Sequence, residues 1–109
     1  MTGALFSLAG RTALVTGASS GLGRRFAGVL ARAGASVALA ARRKDRLEKA
    51  VAEIGESIMR VPRDASLPGG RVIAVPMDVS DIKSIAAGFA AAESAFGPVT
   101  VLVNNAGIA

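Results

Sequence analysis

The stretch Thr16-Gly-Ala-Ser-Ser-Gly-Leu-Gly23 places three glycines within a single turn-sized segment. Gly17, Gly21 and Gly23 lack a Cβ, so the chain can turn sharply there and bring backbone amides against an anion. A helix beginning at that point adds free N–H groups and the positive end of its dipole, and both favour a phosphate. Ser19 and Ser20 lie in the same loop. On spacing alone, a tight glycine-rich turn with no ligand is the competing reading.

The same residues spell a second pattern, G-x-S-x-G, as Gly17-Ala-Ser19-Ser-Gly21. In a strand–turn–helix setting it marks a hydrolase nucleophile, here Ser19, which needs a histidine as base. The sequence has neither histidine nor cysteine. That excludes every Ser-His and Cys-His arrangement within this chain, along with disulfides and thiolate metal sites. The hydrolase pattern also leaves Gly23 without a role. Tyrosine and tryptophan are absent as well. Three other clusters bear chemistry: the basic run Arg42-Arg43-Lys44, the pair Asp78-Val79, and Asn104-Asn105-Ala106-Gly107.

The elements that position these groups follow from periodicity. Thr12–Thr16 is a short apolar run between turn residues, the pattern of a buried strand. Leu22, Phe26, Val29, Leu30 and Ala33 then fall on one face of a helix that Gly34 closes. Ser36–Ala40 reads as the second strand, and Leu47, Val51, Ile54 and Ile58 mark a second helix starting near Lys44. Residues 59–70, with Pro62, Pro68 and Gly69-Gly70, read as a loop. Arg71–Val75 is the third strand, and Ser80 stands where the cap of a third helix belongs. Ile82, Ile85, Ala86, Phe89, Ala90 and Phe96 give that helix its apolar face, and Gly97-Pro98 breaks it before a fourth strand, Val99–Val103. The order β-α-β-α-β-α-β predicts a parallel sheet with right-handed crossovers, one domain over residues 1–109.

The charge balance is 13 Lys and Arg against 8 Asp and Glu, a net +5 that suits an anionic partner. Nucleic acid is not the expected one, since the basic residues lack interleaved aromatics or a nucleic-acid motif. No membrane association is expected either. The longest uncharged stretch, 94–109, is interrupted by Gly97, Pro98, Asn104 and Asn105. The first ten residues have no basic start of the kind a secretory signal carries, so a cytoplasmic protein is expected.

Taken together, Thr16-Gly-x-x-x-Gly-x-Gly23, Asp78-Val79 and Asn104-Asn-Ala-Gly107 resemble the motifs of the short-chain dehydrogenase/reductase family, in that family's order. The resemblance implies half of a Rossmann-type doubly wound sheet, strand order 3-2-1-4. It implies binding of NAD or NADP, and hydride transfer to or from an alcohol or carbonyl. By the same resemblance, Gly17, Gly21 and Gly23 line the pyrophosphate with Ser19 and Ser20, and Leu22 reaches toward the nicotinamide. Asp78 accepts from the adenine amino group with Val79 against the ring. Asn104, Ala106 and Gly107 wall the adenosine side, while Asn105 braces the central strands. Two of these groups have plainer readings: Asp78 with Ser80 as a helix-start cap, and Asn104-Asn105 as a turn.

The family's catalytic serine and Tyr-x-x-x-Lys motif fall after the point where this chain stops, and the chain contains no tyrosine. The expected function is therefore the NADP-binding portion of a short-chain oxidoreductase, without catalytic residues of its own. The alternative is a stand-alone, non-catalytic dinucleotide-binding or interaction module. NADP is expected over NAD because an NAD site carries an acid at the end of the second strand, roughly 20 residues after the glycine loop. Here that place holds Arg42 and Arg43, whose guanidinium groups pair with a 2′-phosphate. Self-association through the fourth strand is expected, since Val99–Val103 carries no charge or proline to blunt an open edge.

Overall fold

A computed structural model describes residues 8–18, 21–60 and 71–105, with the side chains of the second helix described as far as residue 56. Its elements are β1 (Thr12–Thr16), α1 (Gly21–Arg32), β2 (Ser36–Ala41), α2 (Lys44–Arg60), β3 (Val72–Pro76), α3 (Ile82–Phe96) and β4 (Val101–Asn104). All strand pairs are parallel, and the sheet order is β3-β2-β1-β4. This is the predicted α/β half-sheet. The chain moves outward through β2 and β3, then returns across the sheet to place β4 on the other side of β1, which creates a switch point at the C-terminal ends of β1 and β4.

Alternation along the strands divides the core into two layers. Ala13, Val15, Val37 and Leu39 pack with Ala27, Ala31, Leu47 and Ile54 beneath α1 and α2. Leu14, Ala38, Ala40, Val75 and Met77 pack with Ala92 beneath α3. Every residue of β1 is buried. A strand covered on both faces needs no polar alternation, which is why Thr12–Thr16 reads as a continuous apolar run.

Several boundaries and faces differ from the sequence reading. β4 begins at Val101 and not at Val99, because the Glu93 carboxylate accepts the Val99 amide (3.0 Å) and ties it to the end of α3. β3 lies one residue later than predicted, and α2 continues to Arg60. The cap of α3 is Asp81, whose carboxylate accepts from the Lys83 amide at 3.0 Å. Ser80, the predicted cap, is occupied with Asp78.

The largest correction concerns α1. Its buried face is the small-residue stripe Gly23, Ala27, Gly28 and Ala31, whereas Leu22, Phe26 and Val29 are 52%, 42% and 53% exposed. The cause is close approach: a Cβ on Gly23 would overlap the Gly17 carbonyl and stand 2.6 Å from Asn105 Nδ2. A helix this near the β1–α1 turn can only present small residues to the sheet. On α3, Ile85 and Phe89 pack on the core as expected, but Ile82 at the first turn is 84% exposed.

Candidate functional site

β1 ends at Thr16, and the chain turns at once through Gly17 and Gly21, both in the left-handed region at φ +63° and +64°. Only glycine adopts that backbone routinely, so the turn explains the residue type at both positions. Ser19 and Ser20, between them, lie outside the described residues, as do Ala106 and Gly107. The turn is fastened from two sides. The Ala18 amide donates to the Ala40 carbonyl at the end of β2 (3.2 Å), and Asn105 Nδ2 donates to the Gly17 carbonyl (3.4 Å).

Thr16 ties the turn to β4. Its hydroxyl donates toward Asn104 Oδ1 (3.1 Å) and accepts from the Asn105 amide (2.9 Å). Asn104 and Asn105 therefore hold the glycine loop against β1, which goes beyond a simple turn. Asn104 itself pairs in register with Thr16 and is exposed. Sequence reasoning missed Thr16, although a hydroxyl residue directly before Gly17 was visible.

β2 and β3 bring the remaining groups to the same end of the sheet. The Met77 amide donates to the Ala41 carbonyl (2.9 Å), extending the ladder one step past the strands. This places Arg42 and Arg43, just after β2, beside Asp78, Val79 and Ser80, just after β3. Together with Gly17 they line a cleft of about 360 Å³, within the size range of small-ligand sites. Five predicted site residues thus share one cleft: Gly17, Arg42, Arg43, Asp78 and Val79. Gly23 is buried beneath the loop and Leu22 stands half exposed on α1, neither lining that cleft.

The two sides of the cleft differ in charge. Asp78 Oδ1 accepts from the Ser80 amide (2.9 Å) and the Ser80 hydroxyl (2.6 Å). The Ser80 hydroxyl bond and then the Ser80 amide bond hold the Asp78 carboxyl below its ordinary range against an opposing effect of burial, with the Arg42 guanidinium adding the weakest contribution. Asp78 is therefore an ionised acceptor at neutral pH. Because Asp81 caps α3, the plainer reading of Asp78 as a helix cap does not hold. Across the cleft, Arg42 is exposed, and Arg43 Nε lies 3.6 Å from Asp45 Oδ1. A second residue missed from sequence is Ser84, on the first turn of α3, whose Oγ accepts the Asp78 amide at 2.8 Å.

The combination suits a nucleotide. It offers a glycine turn at a helix N-terminus for phosphate, guanidinium groups for a further anion, and a carboxylate acceptor with an apolar neighbour for a base. A larger depression of about 450 Å³ runs between α1 and α2, but there Arg24 is paired with Glu53. Among the described residues no group of His, Cys, Asp and Glu is placed to hold a metal, and no helix is long and apolar enough to cross a membrane.

Comparison with known proteins agrees with this geometry. The family model described as short chain dehydrogenase matches residues 11–109. The chain is 42% identical to a short chain dehydrogenase of Pseudocercospora fijiensis over 94% of its own length and 29% of that relative's. It is 39% identical to gluconate 5-dehydrogenase of Gluconobacter oxydans, covering 95% of itself and 36% of the relative. Among solved structures, L-sorbose reductase of Gluconobacter frateurii, complexed with NADPH and L-sorbose, superposes with a TM-score of 0.78. It is 33% identical, over 92% of this chain and 34% of that one. Hydroxysteroid dehydrogenase of Escherichia coli gives 0.77 at 30% identity, over 91% and 37%. The chain spans about a third of the length of these relatives.

Proposed function

Because the chain belongs to the short-chain dehydrogenase family, we propose that residues 1–109 form one nucleotide-binding domain of an NADP-dependent oxidoreductase. The reaction class is hydride transfer between NADP(H) and an alcohol or carbonyl. The observation that carries this reading is the cleft where Gly17, Arg42, Arg43, Asp78 and Val79 meet. Beside it, Gly17 and Gly21 turn the chain; these two with Ser19, Ser20 and Gly23 are assigned to the pyrophosphate, and Leu22 to the nicotinamide side. The Asp78 carboxylate accepts from the adenine amino group, and Val79 packs on the ring. Asn104, Ala106 and Gly107 wall the adenosine side. Bound, the cofactor would supply the hydride; this chain's residues bind and orient it.

NADP rather than NAD follows from charge. The residue after β2 is Arg42, where an acid would repel a 2′-phosphate, and a guanidinium pairs with phosphate through two parallel N–H···O bonds. The anionic partner in this reading is the dinucleotide and not a nucleic acid, because Arg42 and Arg43 line the cleft while two of the other arginines have partners within the fold. Arg24 pairs with Glu53, and Arg71 lies over the Phe96 ring at 5.4 Å. Calorimetric titration with NADPH and NADH tests the reading. NADPH is expected to bind about tenfold tighter or more, and Arg42→Asp to erase the difference. Equal or tighter binding of NADH overturns it.

The chain by itself is not expected to reduce a carbonyl. It has no tyrosine or histidine to pass a proton to the substrate oxygen. The alternative reading, a stand-alone binding module, shares that expectation, and NADPH consumption by the pure chain with a panel of carbonyl compounds would overturn it. We also place the chain in the cytoplasm, to be checked by fractionation, and in a self-associated state. The outer edge of β4 pairs with no other described strand, and Leu102 on it is 54% exposed. Edge pairing of two copies would join two sheets into one. Light scattering is expected to give a dimer, and a stable monomer at high concentration overturns that part.

A further inference from the structure

Asp78 is held at three points, by Ser84, Ser80 and Asp81. Its amide donates to Ser84 Oγ at 2.8 Å, its Oδ1 takes both bonds from Ser80, and its carbonyl accepts the Asp81 amide at 3.1 Å. The turn 78–81 is thereby closed on the side chain and on the main chain at once. Among the described residues, no hydrogen bond occupies Asp78 Oδ2. The carboxylate thus has one oxygen consumed internally and one left over, on a residue that lines the cleft.

Ser84 is not needed for the helix on which it sits. Asp81 already caps α3 through the Lys83 amide. Serine within a helix is also poorer than alanine by propensity, so the position gains nothing locally from a hydroxyl. What the hydroxyl does is accept an amide proton six residues upstream, at a half-buried position between α3 and the end of β3. That amide begins the turn whose geometry decides where Oδ2 points.

We propose that Ser84 is a positioning residue for base recognition. By fixing the Asp78 amide it holds the Asp78–Ser80 turn so that Oδ2, and not Oδ1, meets the exocyclic amino group of adenine. The proposal rests on the nucleotide reading given above. It selects a base that donates at its 6-position over one that accepts there, because an oxo group facing a carboxylate oxygen leaves two acceptors opposed and unpaired.

The test is a binding ratio, measured on the whole chain by calorimetry. NADPH is compared with its counterpart in which hypoxanthine replaces adenine, so that an oxo group stands in place of the amino group. The wild-type chain is expected to favour NADPH by about ten- to hundredfold, the usual worth of a hydrogen bond to a charged group. Ser84→Ala is expected to lower that ratio by about threefold or more, the coupling typical of neighbours in one hydrogen-bond network. Ser84→Thr, which keeps the acceptor, is expected to retain the ratio, and its isostere Ser84→Val to lose it. The Thr and Val pair decides the matter even where the alanine variant fails to fold. A ratio unchanged in both Ala and Val overturns the proposal. So does an equal weakening of both ligands, which is what a purely structural role would give. If the wild-type chain binds neither ligand, the nucleotide reading itself fails. If it binds both equally, the contact of Asp78 with the base fails.

Discussion

Replacing Gly23 by alanine tests the close approach on which the site's geometry depends. The added Cβ would overlap the Gly17 carbonyl oxygen, a backbone atom that cannot rotate aside, and would stand 2.6 Å from Asn105 Nδ2. That amide donates to the same carbonyl at 3.4 Å, so relief of the clash would break the bond. Forcing a methyl group into a packed contact costs about 1–3 kcal/mol. Losing the amide bond adds about 1 kcal/mol, and alanine's better helix propensity returns about 1 kcal/mol. The net expectation is a destabilisation of about 1–3 kcal/mol. Gly55 is the matched control, since it lies within α2 and a Cβ there meets nothing within 4 Å. Gly55→Ala should stabilise by about 0.5–1 kcal/mol. Urea denaturation is expected to move the two midpoints in opposite directions with the slope unchanged. NADPH affinity should fall for Gly23→Ala alone. Stabilisation of both variants alike would refute the reasoning.

Other expectations are as direct. Asp81→Ala should cost about 1 kcal/mol as the loss of a helix cap, and calorimetric unfolding should show a smaller loss for Ser80→Ala if Asp81 is the true cap. Ser80→Ala should instead raise the Asp78 pKa, read from its carboxyl carbon by NMR titration. In the folded chain that pKa lies below the ordinary value, so its contribution to stability is complete above the unfolded pKa and disappears as pH falls through the folded one. Removing the Ser80 hydroxyl moves that loss to higher pH; an unmoved titration would contradict the assigned cause. Leu47→Ala, at a fully buried side chain, should cost about 2–5 kcal/mol, and Phe26→Ala well under that, since Phe26 is 42% exposed; comparable losses in thermal melts would reverse the assignment of faces on α1. Leu102→Lys, placing a charge on the outer edge of β4, should weaken self-association in sedimentation runs while leaving NADPH binding intact.

The parts of this fold that were legible from sequence are those decided locally. Strands covered on both faces read as unbroken apolar runs, and glycine and proline punctuate the turns between them. Strand order came from the resemblance of three motifs and not from any strand on its own. The largest error has a plain physical origin, which is that tertiary distance overrides periodicity. Leu22, Phe26 and Val29 form a sound helical stripe, yet the approach of α1 to the Gly17 turn leaves room only for Gly23, Ala27 and Ala31. A hydrophobic pattern says which face is apolar; it does not say how near the sheet lies.

The same logic accounts for the site. Glycines, arginines and the Asp78-Val79 pair were visible because their residue types are unusual where they fall. Thr16 and Ser84 were not, because a hydroxyl has many uses and only a partner identifies which. Thr16 meets Asn104 and Asn105 from the far end of the sequence, and Ser84 meets an amide six residues before it. Both hold a loop and not a ligand. In Thr16 the held loop is the glycine turn, and in Ser84 it is the turn bearing the carboxylate. The cleft is thus built by two hydroxyls, each anchoring one wall at the switch point where β4 returns beside β1. A nucleotide spanning that crevice would touch both walls, so loosening either hydroxyl should weaken binding through geometry while the contacting residues stay in place.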